Sequence, residues 1–120
     1  NFYELALNNY PKNKNVKKRL FEIDYQNIDF ENFDDLNNIF NQNKNLIFYL
    51  YNDNYFLKKW EKIFSILGKQ DWLEFLDANN EIINQNNESA IEKLNNIVST
   101  SGDKVLLKES KKLINKIKYE

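Results

Sequence analysis

Apolar residues recur at spacings of three and four between residues 15 and 45, in the sequence NVKKRLFEIDYQNIDFENFDDLNNIFNQNKN. Such spacing keeps apolar side chains on one stripe of an α-helix, which turns once in about 3.6 residues. The stretch therefore predicts two amphipathic helices joined by a polar turn, with Val16, Leu20 and Ile23 on the first stripe. The second stripe consists of Phe30, Phe33, Leu36, Ile39 and Phe40.

The same periodicity along the rest of the chain predicts about eight short helices. Pro11 and Gly68 are predicted to end helices, because proline disfavours a helical residue before it and glycine suits the C-terminal turn. The run LIFYLY at 46–51 fits either a short strand or a short helix, and we predict a helix because no partner strand is visible. Side chains predicted to open helices are Asp29, Asp71 with Glu74, Ser89 with Glu92, and Asp103.

These helices are separated by polar breaks of a few residues, which favour antiparallel neighbours. The predicted fold is all-α, made of consecutive antiparallel helix hairpins, and 120 residues suit a single domain over 1–120. Apolar residues make up 42% of the chain and aromatic residues 15%, enough for a packed core. Trp60 and Trp72 lie on apolar stripes and are predicted to be buried anchors.

Missing residue types argue against catalysis. The chain has no Cys and no His, which removes the thiol nucleophile, the commonest general base and the main soft metal ligands. Two glycines leave no phosphate-binding loop, and the longest apolar run of six residues is too short for membrane insertion. We therefore expect no enzyme activity, no cofactor and no metal. The abundance of Asn and Lys is typical of an AT-rich genome.

Internal matches indicate a repeat. LNNI at 36–39 recurs at 94–97, and KKRLFEIDY at 17–25 resembles KKLINKIKY at 111–119. Phe2, Leu5 and Ala6 precede a similar set, Leu36, Ile39 and Phe40, by 34 residues. A helix–turn–helix period of this length is typical of tetratricopeptide (TPR) repeats.

The start of the chain, FYELALNNYP, resembles the end of a TPR second helix through Tyr3, Ala6 and Pro11. Leu20 takes the leucine position of the next first helix, whereas Phe21 stands where the family has a small residue. The resemblance implies a TPR-like right-handed α-solenoid, and this chain is expected to be one segment of a longer repeat array. A compact irregular helical bundle is the alternative fold.

What TPR resemblance implies for function is a scaffold that binds a peptide or helix of another protein in a concave groove. Residues beside the first-helix stripe are the groove candidates, with their repeat equivalents in the last helix: Asn15, Lys18, Glu22, Tyr25, Gln26, Lys112, Lys116 and Tyr119. One alternative is a structural helical segment that supports another domain. The other is single-stranded RNA binding, as in pentatricopeptide repeats, but a net charge of −1 favours no nucleic acid partner.

Overall fold

The computed structural model describes residues 14–49 and 54–119, and helices account for 85% of them. Seven helices and no strands occur in these ranges, which confirms the all-α prediction. They are α1 (Lys14–Asn27), α2 (Phe33–Asn43), α3 (Leu46–Tyr49), α4 (Asn54–Leu67), α5 (Gln70–Ile83), α6 (Asn87–Thr100) and α7 (Lys104–Tyr119). The predicted helix at 1–10 and its end at Pro11 lie outside the described residues, as do positions 50–51 of the LIFYLY run.

The chain divides into two compact units, Asn1–Tyr51 and Asn52–Glu120. In the first unit, α1 packs against α2 and α3. In the second, α4 packs against α5, α5 against α6, and α6 against α7. Turns of two or three residues separate these four helices, so sequential neighbours run antiparallel. Both the repeat arrangement and the compact bundle are consistent with this order.

The first unit buries a different residue of α1 from those predicted. Phe21 is fully buried, while Val16, Leu20 and Ile23 are only half-buried. On a helix, Phe21 lies on the opposite side from that stripe. The Phe21 ring is therefore part of the core of the first unit.

Helix α2 begins three residues later than predicted. Asp29 Oδ1 accepts a hydrogen bond from the Glu31 amide at 3.0 Å, which holds a turn rather than opening a helix. Asn32 is the N-cap instead, and its side chain accepts from the Asp35 amide at 3.2 Å. Phe33 consequently stands at the first helical position with 54% of its surface exposed, so its predicted place on the apolar stripe is wrong.

The second unit is built around aromatic side chains from α4 and α5. Trp60 stacks on Phe64 with ring centroids 5.3 Å apart, and Phe64 lies 5.6 Å from the Trp72 ring. All three side chains are buried, which confirms both tryptophans as anchors. Large rings bury more apolar area per residue than any aliphatic side chain, so this contact fixes α5 on α4.

The turn between α4 and α5 follows from Gly68. Its φ of +69° is a left-handed conformation that glycine adopts without a steric penalty. The Lys69 amide then donates to the Phe64 carbonyl at 3.0 Å, the bond that closes a Schellman motif. The predicted end of α4 is confirmed.

The next two helices, α5 and α6, start without the predicted capping boxes. Helix α5 begins at Gln70 and α6 at Asn87, so Asp71 and Ser89 lie inside the first turn rather than before it. Neither N-cap residue, Lys69 or Asn86, makes a side-chain capping bond. Asp71 and Glu74 are instead engaged by residues that are distant in the sequence.

Helix α6 occupies the centre of the second unit because it packs against both α5 and α7. Ala90, Leu94 and Ile97 are its buried residues. Leu106 and Ile114 of α7 are buried with Ser110 between them. Most of the apolar residues beside these buried positions are half-buried, and Ile83 at the end of α5 is 38% exposed.

Candidate functional site

The groove candidates of the first repeat helix all lie on α1, within about 100° of one another around its axis. Lys18 and Glu22 are half-buried and Gln26 is exposed, and of Asn15 only the helical backbone is described. The Glu22 carboxylate accepts from the Arg19 guanidinium at 3.1 Å, with only 19% of the Glu22 side chain exposed. This side of α1 therefore carries both polar surface and packed residues.

Tyr25 contributes to packing in the first unit. Its ring lies 5.4 Å from Phe30 in an edge-to-face arrangement and 6.0 Å from Phe21. Burial raises the pKa of the Tyr25 phenol above its usual value of 10.0. These contacts account for an aromatic residue at this position without a ligand, and the binding role of Tyr25 stays a prediction.

The candidates in the last helix, Lys112, Lys116 and Tyr119, are exposed on α7. Lys112 lies 3.6 Å from the Glu109 carboxylate, a surface ion pair within one helical turn. Tyr119 is 84% exposed, the largest exposed fraction among the large apolar side chains described. These residues belong to the second unit and those on α1 to the first.

The solvent side of α7 carries a concentration of positive charge that residue-by-residue reasoning missed. Six exposed lysines share about 160° of the helix surface, opposite the buried Leu106, Ser110 and Ile114. Glu109 is the only acidic residue between Lys104 and Tyr119. We call this surface the lysine face: Lys104, Lys108, Lys111, Lys112, Lys116 and Lys118.

A groove runs between α5 and α6 on the surface of the second unit. Two adjoining cavities of about 570 and 430 Å³ form it, and Ser89 lines both. Four carboxylates line the groove against one ammonium group, that of Lys93. We call it the α5–α6 groove, with its carboxylates at Glu74, Glu81, Glu88 and Glu92.

A direct hydrogen bond between two residues that line this groove links its two helices. Glu74 Oε2 accepts from Asn96 Nδ2 at 2.8 Å, linking α5 to α6. The sequence offered Glu74 as half of a capping box, so its true partner, 22 positions away, was not predictable from local pattern. The four-residue spacing of Glu88 and Glu92, which places both on one side of α6, was the one available signal.

A polar network fixes the start of α5 to the loop before α7. The Ser101 hydroxyl donates to Asp71 Oδ2 at 2.5 Å and accepts from the Asp103 amide at 3.1 Å. Asp103 Oδ2 in turn accepts from the Trp72 indole nitrogen at 3.2 Å, and Asp71 Oδ1 accepts from the Trp72 amide. The network holds one end of the three helices α5, α6 and α7 in a defined arrangement.

No protein-family model matches this chain. No curated protein and no solved structure matches it either.

Across residues 14–49 and 54–119, no group of three or more His, Cys, Asp or Glu side chains is placed to hold a metal ion. No helix in those ranges is long and apolar enough to cross a membrane. The features that remain are the α5–α6 groove and the lysine face, which are complementary in charge.

Proposed function

We propose that this chain is a non-catalytic protein–protein interaction module that binds a basic peptide or helix of a partner protein in the α5–α6 groove. The lining of that groove carries the proposal, because four carboxylates and one ammonium attract a cationic segment. The polar remainder of the lining, from Ser and Asn side chains, suits hydrogen bonding rather than an apolar ligand. The proposed TPR-like architecture supports the same scaffolding role.

Binding in this groove is expected to be modest and sensitive to salt. Exposed ion pairs each contribute about 0.2–1 kcal/mol, and added salt screens them. The Glu74–Asn96 bond pre-orders one side of the groove, so a ligand need not reorganise the helices. Specificity then depends on how lysine or arginine side chains of the ligand are spaced along it.

Fluorescence anisotropy tests the proposal with a labelled alanine-based peptide that carries lysines at helical spacings of three and four. The peptide should bind the wild-type chain, and Glu81→Lys with Glu92→Lys should weaken binding about tenfold or more, which corresponds to about 1.4 kcal/mol. Glu81 lies in the last turn of α5, where lysine is favourable to the helix, so the fold is expected to survive.

The matched control applies the same charge change to the first unit, with Glu31→Lys and Asp34→Lys. Both residues are exposed and lie outside the α5–α6 groove. If both double variants lose peptide affinity equally, the loss results from the change in net charge alone. That result would contradict the proposal that the peptide binds in the α5–α6 groove. A peptide with glutamates in place of the lysines should not bind.

A further inference from the structure

The lysine face lies on the side of α7 that is turned away from α6. Helix α7 packs on α6, and its buried residues Leu106, Ser110 and Ile114 lie on the side opposite the lysines. The lysines therefore point away from α6. The helix dipole accounts for Lys116 and Lys118 in the last turn, but it disfavours Lys104 in the first.

Apolar surface is interspersed with this charge. Val105 is 40% exposed and Tyr119 is 84% exposed, and both fall within the arc of the lysine face. Together they give α7 a face that combines charge attraction with some apolar contact area.

The lysine face and the α5–α6 groove match in length as well as in charge. Eleven residues separate Glu88 from Ser99 along the groove, a rise of about 16 Å at 1.5 Å per residue. Twelve residues separate Lys104 from Lys116, a rise of about 18 Å. A helix with lysines every three or four residues can thus present one ammonium group per turn along the whole groove.

We propose that the lysine face of one copy docks into the α5–α6 groove of a second copy. The inference rests on the proposed function of that groove and names the partner. A net charge of −1 leaves no overall repulsion between copies, so local complementarity decides the interaction. Since the two surfaces differ, the contact either repeats head to tail, giving chains or rings, or is made twice in a reciprocal two-fold dimer.

Sedimentation velocity on the whole chain over a range of concentrations tests this assembly. In low salt, about 20 mM, the average mass should rise with concentration above that of the monomer, and in about 500 mM salt it should return to the monomer because the Debye length shrinks to a few ångströms. A chain that stays monomeric at every concentration in low salt overturns the proposal. So does a dimer that salt does not dissociate.

Charge reversal on each surface sharpens the test. Variant A carries Lys108→Glu and Lys112→Glu, and variant B carries Glu81→Lys and Glu92→Lys. Each variant alone should associate more weakly, because variant A leaves four lysines against two glutamates on its lysine face and variant B leaves two glutamates against three lysines in its groove. In an equimolar mixture the unchanged groove of A still matches the unchanged lysine face of B, so A and B should form a one-to-one complex.

Failure of this inference is distinguishable from failure of the proposed function. If the lysine peptide binds the groove but the wild type never self-associates, the proposed function of the groove is supported. A second copy of the chain is then ruled out as its partner. If the peptide does not bind either, both proposals fall.

A monomer that binds vesicles of anionic phospholipid through Lys108 and Lys112 would overturn the proposal and assign the lysine face to a lipid surface. Melting curves of A and B that match the wild type exclude misfolding as the cause.

Discussion

The indole nitrogen of Trp72 donates a hydrogen bond to Asp103 across 31 positions of sequence, at 3.2 Å. The same carboxylate caps α7, because its other oxygen accepts from the amides of Val105 and Leu106 at 3.0 and 3.2 Å. One side chain thus starts the last helix and attaches it to a buried anchor of α5. The orientation of α7, and with it that of the lysine face, depends on this carboxylate.

Asp103→Ala should lower the free energy of unfolding by about 2 kcal/mol, because loss of an N-cap costs about 1 kcal/mol and loss of a part-buried hydrogen-bond acceptor costs a similar amount again. Chemical denaturation followed by tryptophan fluorescence measures the change. Asp103→Asn separates the two contributions, since an amide can still cap α7 through its oxygen while its nitrogen cannot accept from Trp72. If both variants unfold like the wild type, the shared role of Asp103 is wrong.

Gln85→Gly should stabilise the second unit by about 1 kcal/mol, because glycine avoids the steric cost of a left-handed residue. Gln85 has a φ of 65° at the end of α5, where its amide donates to Ile82 and the Asn86 amide to Glu81. Gly68→Ala is the reciprocal change and should destabilise by a similar amount. An added Cβ at Gly68 meets nothing within 4 Å, so its effect isolates backbone strain. Thermal melts showing the same sign for both substitutions would contradict this account.

Ser110→Ala should leave stability unchanged or raise it by about 1 kcal/mol. A buried hydroxyl without a partner loses its hydrogen bonds to water on folding and gains no protein hydrogen bond in exchange. The Ser110 side chain is fully buried in α7, and its hydroxyl makes no hydrogen bond. Ser99→Ala is the matched control on the exposed side of α6, where the hydroxyl bonds to the Asn95 carbonyl. A marked loss of stability in Ser110→Ala alone would show that the hydroxyl has a partner in solution.

The stability of the first unit should fall in alkaline solution through Tyr25. Since burial raises the pKa of this phenol, the folded chain holds the proton more tightly than the unfolded chain. The contribution of Tyr25 is therefore present below pH 10 and is lost as the pH rises through the raised pKa. Tyr25→Phe should match the wild type at neutral pH and lose less stability above pH 10, as followed by circular dichroism.

The predicted groove on α1 is tested by replacing Tyr25 and Lys18 with Ala. Weaker partner binding with unchanged thermal stability would support that groove. We expect instead a lower melting temperature, because Tyr25→Ala removes the ring contacts with Phe21 and Phe30. Lys18→Ala alone is the control, because it removes the charge and leaves those contacts intact.

The local sequence pattern was sufficient to predict the structure wherever all the interacting residues lie within or next to one helix. Spacings of three and four predicted six of the seven described helices, and the helix at 46–49 was predicted because no partner strand was visible. Asp103 was identified as an N-cap, and the amides that donate to it lie only two and three residues away. Gly68 was likewise identified as a helix end, since a left-handed turn needs glycine at that point of the chain. These interactions span fewer than five residues, and the sequence contains all their partners.

Only the tertiary structure decided which of several competing partners each polar side chain takes. The spacing of Asp71 and Glu74 predicted a capping box, but Asp71 accepts a hydrogen bond from Ser101 and Glu74 accepts one from Asn96. These bonds form because folding brings α6 and the loop after it alongside α5. Asn32 replaced Asp29 as the cap of α2, which moved Phe33 from the predicted core to the surface. The α5–α6 groove has the same origin. Its carboxylates are ordinary surface residues in the sequence, and they form one lining only because two helices pack side by side.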